Sequence, residues 1–235
     1  MKWGGVALAE LLDRAGVRPE ATHLWSYGLD YGQFFGVAQH HYVKDMPLSK
    51  LKEGNVLIAY ELNEEPLTQR HGFPARLVIP GFYGTNCVKW LCRLELRERR
   101  ATHFMTTSLY RDPDFNADPS GGTTKPVWMV AAESIFVSPE PESRIKREAT
   151  QVWGWAWSSC AVRSVEVSTD GGQSWTASSL EPPHELSWQR FSHIWLPPRN
   201  GSFDLHCRAI DVSGRVQPAS SARNAVQSIR VVVED

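Results

Sequence analysis

Hydrophobic residues in the first part of the chain follow a helical period and then give way to short apolar runs. The apolar positions of residues 5–15 recur near helical spacing, and Gly16 follows where a helix commonly ends, so an amphipathic helix is predicted. Residues 23–43 are rich in aromatic side chains and glycine without a clean period, which predicts a strand followed by a loop. Residues 55–62 form a compact apolar run typical of a buried strand, and residues 63–66 predict a turn.

Polar and apolar residues alternate more regularly in the segments that follow. Residues 76–81 predict a short strand ended by Pro-Gly, and residues 88–99 alternate with the period of two that marks a strand with one face in water. The run 97–100, Arg-Glu-Arg-Arg, predicts a solvated strand end whose positive edge can steer an anion. Proline and glycine interrupt residues 111–126, which are predicted to be a linker or crossing loop.

The last hundred residues have an all-β pattern. Trp153, Trp155 and Trp157 share one parity, and period-two alternation returns in several later segments that turn residues separate. Short strands with turns between them are typical of a β-sandwich. The chain is therefore predicted to be α+β, with a mixed α/β domain in residues 1–128 and a β-sandwich in residues 129–235.

One hairpin in the predicted sandwich matches a motif of another fold. Residues 168–175, Ser-Thr-Asp-Gly-Gly-Gln-Ser-Trp, fit the Asp-box hairpin that recurs in propeller glycosidases. A propeller needs several such blades, and this chain has one copy. The motif is therefore interpreted as a turn in which Asp170 and the two glycines provide backbone freedom, with Trp175 predicted to pack in the core.

Composition narrows the possible functions. Hydrophobic residues make up 42% and charged residues 22% of the 235 residues, a balance typical of globular proteins. The 25 basic residues against 26 acidic residues give a net charge of −1, which argues against nucleic acid as a partner. No apolar run approaches the roughly 18 residues of a membrane span. Ten tryptophans indicate a large buried aromatic area or a stacking surface.

Cysteine and histidine do not suggest a metal site. The four cysteines have no C-x-x-C spacing and are expected to be free thiols. His40 and His41, together with His23, are the histidines that could suggest a metal site, but no spaced carboxylate or cysteine completes a set of ligands. The N-terminal residues show no signal-peptide apolar region, and the localisation of the protein stays open.

Candidate chemistry concentrates between residues 71 and 90. The sequence lacks the G-x-G-x-x-G, P-loop, H-E-x-x-H and G-x-S-x-G motifs. His71, Arg76 and Lys89 instead surround a loop that contains Pro-Gly and a further glycine. Backbone N–H groups in such a loop, together with Arg and Lys, can hold an anionic ligand rich in heteroatoms. The alternative interpretation is that these cations are ordinary solvated strand-end residues.

Ordered motifs along almost the whole chain resemble the sulfite oxidase family. His71-Gly-Phe-Pro-Ala-Arg76, the Pro-Gly-x-x-Gly loop and Val88-Lys89-Trp90-Leu91 look like its molybdopterin-binding core. The segments 3–12 and 55–66 resemble the first helix and a strand-turn of that core. The tryptophan-rich stretch and the 168–175 hairpin resemble the family's immunoglobulin-like dimerisation domain. The resemblance implies an immunoglobulin-like fold for the sandwich and a homodimer formed through it.

The resemblance also implies a cofactor and a set of site residues. Molybdenum–molybdopterin is the implied cofactor. The implied cofactor-binding residues are Asp30, His71, Arg76, Cys87, Val88 and Lys89. Tyr110 lies about twenty residues beyond the Val-Lys-Trp-Leu motif, where the family has its active-site tyrosine. An ordinary half-buried loop tyrosine is the alternative for that position.

The implied activity is oxidation of sulfite, or a related sulfur oxyanion, to sulfate, with electrons passing to a haem-type acceptor. The family's molybdenum-ligating cysteine lies in a Cys-x-Gly-Asn-Arg segment before the first helix, and none of the four cysteines here lies in such a segment. The chain therefore resembles a truncated member, and no metal ligand is predicted within it. A non-catalytic pterin-binding or dimer-forming remnant is one alternative. A carbohydrate- or protein-binding sandwich with an unrelated first domain is another.

Overall fold

Extended backbone dominates the protein. Its computed structural model describes residues 1–114, 117–118, 120–220 and 222–235. The chain divides into two units, Met1–Met129 and Val130–Asp235. The described residues include one α-helix, of eight residues, so the fold contains less helix than the α+β prediction suggests.

Among its described residues, the first unit contains eleven strands, one α-helix and several short helices of other types. The strands are β1 (Trp3–Ala7), β2 (His23–Gly28), β3 (Gly32–Phe34), β4 (Val37–Gln39), β5 (Tyr42–Pro47), β6 (Leu57–Leu62), β7 (Glu65–Pro66), β8 (Arg76–Val78), β9 (Leu91–Arg97), β10 (Arg111–Pro113) and β11 (Thr124–Pro126). The helices are α1 (Leu8–Ala15), the 3-10 turns Leu48–Glu53, Gln69–His71 and Gly84–Asn86, and the π-helix Met105–Leu109.

Two antiparallel sheets build the first unit. In one, β6 pairs with β1 on one side and with β7 and β8 on the other. In the other, β2 lies between β5 and β9. Buried apolar side chains from both sheets and from α1 form a shared core, among them Leu8, Leu24 and Leu77. The segment that follows β2 carries Asp30, and the residues singled out between 71 and 90 lie in β8 and in the segments before β8 and β9.

The predicted helix begins later than the sequence period suggests. Residues 5–7 belong to β1, where Gly5 pairs with Ala59 and Val6 with Ile58. A Cβ on Gly5 would lie 2.3 Å from the backbone oxygen of Ile58, so only glycine permits this close strand pairing. α1 then starts at Leu8, and pairing with a distant strand outweighs the local helical period.

Two predicted loops contain short hairpins. After β2, the aromatic stretch forms the hairpin β3–β4 before β5 begins at Tyr42. The predicted linker 111–126 contains β10 and β11, which pair antiparallel. Phe115, Asn116 and Pro119 of that linker lie outside the described residues. Both hairpins are held by backbone hydrogen bonds, which an irregular sequence pattern does not reveal.

In the part of the second unit that the structure describes, nine strands form two sheets. The strands are β12 (Glu133–Ser138), β13 (Arg144–Lys146), β14 (Thr150–Trp157), β15 (Val162–Ser168), β16 (Thr176–Ala177), β17 (Ser179–Leu180), β18 (Gln189–Trp195), β19 (Gly201–Asp211) and β20 (Ser228–Glu234). The sheet orders are β12-β14-β18-β17 and β13-β20-β19-β15-β16. Inward residues of both sheets share one core, which includes Val152, Phe191 and Leu205, so the unit is a sandwich.

The hairpin of residues 168–175 is a turn, as predicted. Asp170 accepts hydrogen bonds from the Ser168 and Ser174 hydroxyls and from the backbone N–H groups of Gln173 and Ser174. The prediction for Trp175 is wrong, because its half-buried ring lies outside the core with the Arg208 guanidinium 4.1 Å from its centroid. Among the described residues, no helix is long and apolar enough to cross a membrane.

Candidate cofactor site

Arg76 ties together the two ends of the 71–87 segment. Its Nη1 donates to the carbonyl of His71 at 3.0 Å, and its Nη2 donates to the carbonyl of Cys87 at 3.0 Å. The Nε atom is buried and has no hydrogen-bond partner. Burial lowers the pKa of Arg76, although a guanidinium stays charged at any ordinary pH. Arg76 therefore organises this segment and keeps one charge-assisted donor for a further ligand.

Gly72 permits Lys89 to lie against the turn that carries His71. Gly72 has φ +106°, and a Cβ there would come within 2.9 Å of the Lys89 Cβ. The Lys89 ammonium donates to the carbonyl of Arg70 at 3.2 Å and lies 4.5 Å from the Trp90 ring centroid. His71 uses Nδ1 in a hydrogen bond with the Thr68 hydroxyl at 2.8 Å, so Nε2 is the ring nitrogen available to a ligand.

Asp30 meets Lys89 where β2 ends. A Cβ on Gly28 would lie 2.8 Å from the Lys89 carbonyl oxygen and 3.0 Å from Asp30 Oδ2. Burial raises the pKa of Asp30, and the charge of Lys89 opposes that rise. The Gly-Leu-Asp turn thus brings a carboxylate beside the segment 87–89. His41, considered above as part of a metal set, hydrogen bonds the Gly28 carbonyl at 3.0 Å instead.

Cys87 is half-buried, and its thiol is protonated at neutral pH. Its sulfur accepts the backbone N–H of Ile79 at 3.3 Å. Burial raises the pKa of Cys87, and the Ile79 N–H and Arg76 only partly offset that effect. Val88 is buried, and its carbonyl accepts the N–H of Leu77 at 2.8 Å. Side chains of Cys87 and Val88 therefore pack inside the unit, and their backbone is what the segment offers to a ligand.

Tyr110 lies beside a second tyrosine that the sequence analysis did not single out. Tyr42, on β5, donates its hydroxyl hydrogen bond to the Thr85 carbonyl at 2.8 Å. Burial raises the pKa of Tyr42, and interactions with Tyr110, Asp30 and Cys87 raise it further. Tyr42 therefore links Tyr110 to the predicted cofactor-binding residues Asp30 and Cys87, because it interacts with all three. Nothing in the local pattern of residues 40–47 marks it.

Buried polar atoms without partners surround the same loop. They include Thr85 Oγ1, Asn86 Oδ1 and Arg76 Nε. Asn86 uses its amide nitrogen to bond the carbonyls of Tyr83 and Val127, at 3.1 and 2.9 Å. Buried polar groups are normally paired, and an unpaired one carries a desolvation cost. The loop thus has hydrogen-bonding capacity that the chain itself does not use.

The run 97–100 was predicted to be a solvated strand end, and for Arg100 this prediction is wrong. Arg100 forms a bidentate ion pair with the fully buried carboxylate of Asp45, with Nε–Oδ2 at 2.9 Å and Nη2–Oδ1 at 3.0 Å. Arg97 bonds Glu95 and lies over the ring of Trp25. The partner of Arg100 is 55 positions away in the sequence, so the local run contains no sign of it.

A separate cavity of about 1050 Å³ lies between the segments 16–21 and 96–99. Arg18, Arg97 and Glu98 are among its lining residues, and none of the predicted site residues borders it. It takes no part in the candidate site. Across the described part of the chain, no group of three or more His, Cys, Asp or Glu side chains is arranged to hold a metal ion. The four cysteines are free, as expected.

Both units match models of known protein families. Residues 1–105 match the oxidoreductase molybdopterin binding domain, and residues 124–233 match the Mo-co oxidoreductase dimerisation domain. The first match implies molybdenum–molybdopterin as the cofactor of the domain. The two matches together include every residue of the candidate site except Tyr110.

Relatives extend over nearly the whole chain. The mitochondrial sulfite oxidase of Rattus norvegicus is 31% identical over 94% of this chain and 42% of its own length. The sulfite oxidase of Arabidopsis thaliana is 30% identical over 97% of this chain and 60% of its own. The sulfane dehydrogenase SoxCD from Paracoccus pantotrophus superposes with a TM-score of 0.77 and 30% identity, over 95% of this chain and 58% of that chain. The chain spans less than two thirds of each relative, and it belongs to the sulfite oxidase family of molybdopterin oxidoreductases.

Proposed function

We propose that the chain takes part in the oxidation of sulfite, or a related sulfur oxyanion, to sulfate at a molybdenum–molybdopterin cofactor. Residues 1–128 bind the cofactor, and residues 129–235 form an immunoglobulin-like dimerisation domain. The observation that carries this proposal is the convergence of Asp30, Arg76, Lys89 and Tyr110 around a loop with unpaired buried polar atoms.

The residues present fit the pterin part of the cofactor. A pterin and its phosphate offer many hydrogen-bonding atoms and negative charge, which backbone N–H groups, Arg and Lys bind well. Arg76 Nε and Asn86 Oδ1 are buried without partners, and Gly28 and Gly72 let the backbone on either side pack closely against Lys89. Asp30, His71, Arg76 and the backbone of 87–89 would hold the pterin, with Lys89 as a cation beside it.

The cysteines present do not fit the metal part. A thiolate is the ligand that soft metal chemistry requires. Cys87 is at the site, but burial raises its pKa and its sulfur already accepts the Ile79 N–H. Cys92 is an exposed residue of β9 whose thiol donates to the Tyr27 carbonyl at 3.3 Å, and Cys160 and Cys207 belong to the second unit. We therefore assign no metal ligand to this chain.

The reaction requires an oxygen atom and an electron acceptor. Sulfite and water give sulfate, two protons and two electrons, and the bound cofactor supplies the redox centre for that exchange. A haem-type protein is the proposed acceptor of the electrons. Tyr110 is the proposed catalytic residue, which hydrogen bonds near the reacting oxygen, and Lys89 adds positive charge beside the oxyanion. Tyr42 positions Tyr110 through their contact.

The test is sulfite-dependent reduction of a haem protein by the chain purified from a host that makes the cofactor. Tyr110→Phe is expected to retain pterin and to lower the rate by about a hundredfold, the range seen when one positioned donor or acid is lost. The matched control is Tyr60→Phe, because Tyr60 is an exposed tyrosine of β6. Equal rates for the two variants would contradict the role of Tyr110.

A non-catalytic function is the second candidate, and the state of Cys87 favours it. A pterin-binding, dimer-forming protein needs the Arg76 and Lys89 contacts but no thiolate. It would bind pterin and reduce no acceptor with sulfite. The same purification separates the two candidates, because pterin content and sulfite-dependent turnover are independent measurements.

The second unit is proposed to join two copies of the chain. Trp153, Trp155, Trp157 and Trp188 cover the outer face of the sheet formed by β12, β14, β18 and β17, and we name this surface the tryptophan face. Trp188 is 56% exposed and stacks on Trp157 at 4.5 Å between ring centroids. Exposed aromatic surface of this kind is typical of protein interfaces, and the unit matches a dimerisation domain.

A further inference from the structure

Lys44 is a buried lysine for which the proposed function has no role. It lies in the middle of β5 and is 3% exposed. A buried ammonium is costly unless a carboxylate or another anion balances its charge. A lysine held at such a position therefore needs a partner of opposite charge.

The neighbouring carboxylate is already neutralised. Both oxygens of Asp45 bind the Arg100 guanidinium, and Oδ2 also accepts the backbone N–H of Ala101 at 3.0 Å. The charge of Asp45 is therefore balanced by Arg100 and not by Lys44. Lys50 provides the contrast within the same unit, because it is 8% exposed and forms its own ion pair with Glu53.

The ammonium of Lys44 lies over the ring of Tyr110, the predicted active-site tyrosine. Its Nζ lies 4.4 Å from the ring centroid of Tyr110, and Tyr110 in turn contacts Tyr42. Lys50 also lies over an aromatic ring, that of Phe82, at 5.2 Å. Both lysines are therefore buried and lie over an aromatic ring. They differ because Lys50 is paired with a carboxylate, that of Glu53, whereas Lys44 lies beside Tyr110 of the candidate site.

We propose that Lys44 binds the anionic substrate, its ammonium contacting an oxygen of a sulfur oxyanion beside Tyr110. The identity of the anion rests on the proposed function, whereas the binding itself rests on the buried cation and its position. Lys44 is then a specificity-determining residue for anions at this site. Together with Lys89 it gives the site two lysines, and Lys44 is the one that a bound anion neutralises.

The charge state of Lys44 makes the binding pH-dependent. Burial lowers the pKa of Lys44 to about 8, with Asp45 opposing that effect and Arg100 adding to it. Burial also lowers the pKa of His23 and of His103, so both imidazoles are neutral above pH 7. Tyr42, whose pKa is raised, stays protonated there. The amine of Lys44 loses its proton between pH 7 and pH 9 in the ligand-free chain, and the affinity of the site for an anion falls over the same interval.

Calorimetric titration of the full chain with sulfate, in a buffer free of other oxyanions, tests the proposal. Sulfate stands for the product and needs no bound cofactor. A pKa of about 8 predicts that affinity falls about tenfold from pH 7 to pH 9. Lys44→Met is expected to bind sulfate at least about tenfold more weakly at pH 7 and with no pH dependence.

Two further variants separate this role from a structural one. Lys44→Arg is expected to keep sulfate binding and to lose its pH dependence, because a guanidinium stays charged. Lys50→Met is the matched control and is expected to keep both the affinity and the tenfold fall. Wild-type affinity in Lys44→Met, a retained fall in Lys44→Arg, or no sulfate binding by the wild type would each overturn the proposal.

The outcome is independent of the proposed function. If the chain holds no pterin and oxidises no sulfite, but its sulfate affinity depends on Lys44 and on pH as described, the proposed function is wrong and Lys44 is still an anion-binding residue. If the chain oxidises sulfite but Lys44→Met binds sulfate as tightly as the wild type, the role of Lys44 is wrong and the proposed function stands.

Discussion

The two units of the chain differ in how they treat buried polar groups. Among the described residues, seven buried side-chain polar atoms have no hydrogen-bond partner. Six of them lie in Met1–Met129, and the seventh, Ser143 Oγ, lies in Val130–Asp235. The difference indicates that nearly all buried polar atoms of the sandwich are paired within it, while the first unit has unpaired ones that a bound ligand can pair with.

Gln217 and Asp211 show how completely the sandwich pairs its buried groups. Gln217 Oε1 accepts from the N–H and hydroxyl of Ser134, at 2.9 and 2.8 Å, and from the N–H of Ala209, at 3.1 Å. Asp211 accepts from the Ser158 hydroxyl at 2.9 Å and from Arg215 Nε at 2.7 Å. Networks of this kind specify one arrangement of the core and need no ligand.

The largest expected effect is the loss of Gln217. Gln217→Ala leaves three buried donors without an acceptor, and the free energy of unfolding is expected to fall by about 3 kcal/mol. Gln173→Ala is the control, because that side chain is exposed in the same unit, and it should change stability by less than about 0.5 kcal/mol. Denaturant unfolding measures both, and a Gln217 variant as stable as the control would break the comparison.

Asp211 gives the next effect and a pH signature. Burial acts to raise the pKa of Asp211, but the hydrogen bonds it accepts from Ser213, Arg215 and Ser158 lower it to about 2. Because the folded pKa lies below the unfolded value of about 3.9, the stabilisation is complete above pH 4 and is lost as the pH falls toward 2. Asp211→Asn should cost about 2 kcal/mol at pH 7.

The stability difference between wild type and Asp211→Asn, followed from pH 7 to pH 2, is the measurement. It should shrink steadily below pH 4. A difference that stays constant down to pH 2 would mean that the carboxylate charge plays no part in stabilising the sandwich.

The tryptophan face provides a smaller effect, on association and not on folding. Trp188→Ser removes an exposed ring that stacks on Trp157, so dimer affinity is expected to weaken by about tenfold while unfolding changes little. Val216→Ser, at another exposed apolar residue of the same unit, is the control. Sedimentation equilibrium measures both, and equal dimer affinities would exclude this face as the interface.

The smallest expected effect has the opposite sign. Thr85→Val removes a buried hydroxyl that has no partner, and the ligand-free chain is expected to gain up to about 1 kcal/mol. Thr106→Val removes a buried hydroxyl that donates to the His103 carbonyl at 2.8 Å, and it should lose about 1 kcal/mol. If both variants lose stability in thermal or denaturant unfolding, the Thr85 hydroxyl is not an unpaired group in the folded chain.

Regular patterns and ordered motifs predicted much of the molecule. Period-two alternation located β9 and the long strands of the sandwich. In β19 every second residue from Leu205 to Asp211 is buried, as the alternation predicts, whereas in β9 Cys92 is exposed and Glu95 is half-buried. The family resemblance singled out the 71–90 segment, which the structure organises through Arg76 and Gly72. The alternation and the motifs are local features of the sequence, and the contacts that they predict, such as those of Arg76 with His71 and Cys87, join residues close in sequence.

Long-range pairing explains what the patterns missed. The strand β1 replaces the start of the predicted helix because Gly5 pairs closely with Ala59. Asp45 and Arg100 are buried against each other although neither is apolar, and Tyr42 is joined to Tyr110 only by the fold. Single-sequence periodicity carries no information on which distant charges neutralise each other.

The pterin content of the purified chain, prepared from a host that makes the cofactor, tests the central claim most directly. About one pterin per wild-type chain is expected. Gly72→Ala should hold a tenth of that or less, because its Cβ would meet Lys89 at 2.9 Å. Gly16→Ala has a similar positive φ with nothing within 4 Å of its Cβ, and it should match the wild type. A wild-type chain without pterin, or equal pterin in both variants, would contradict the assignment of the 71–90 segment as the cofactor site.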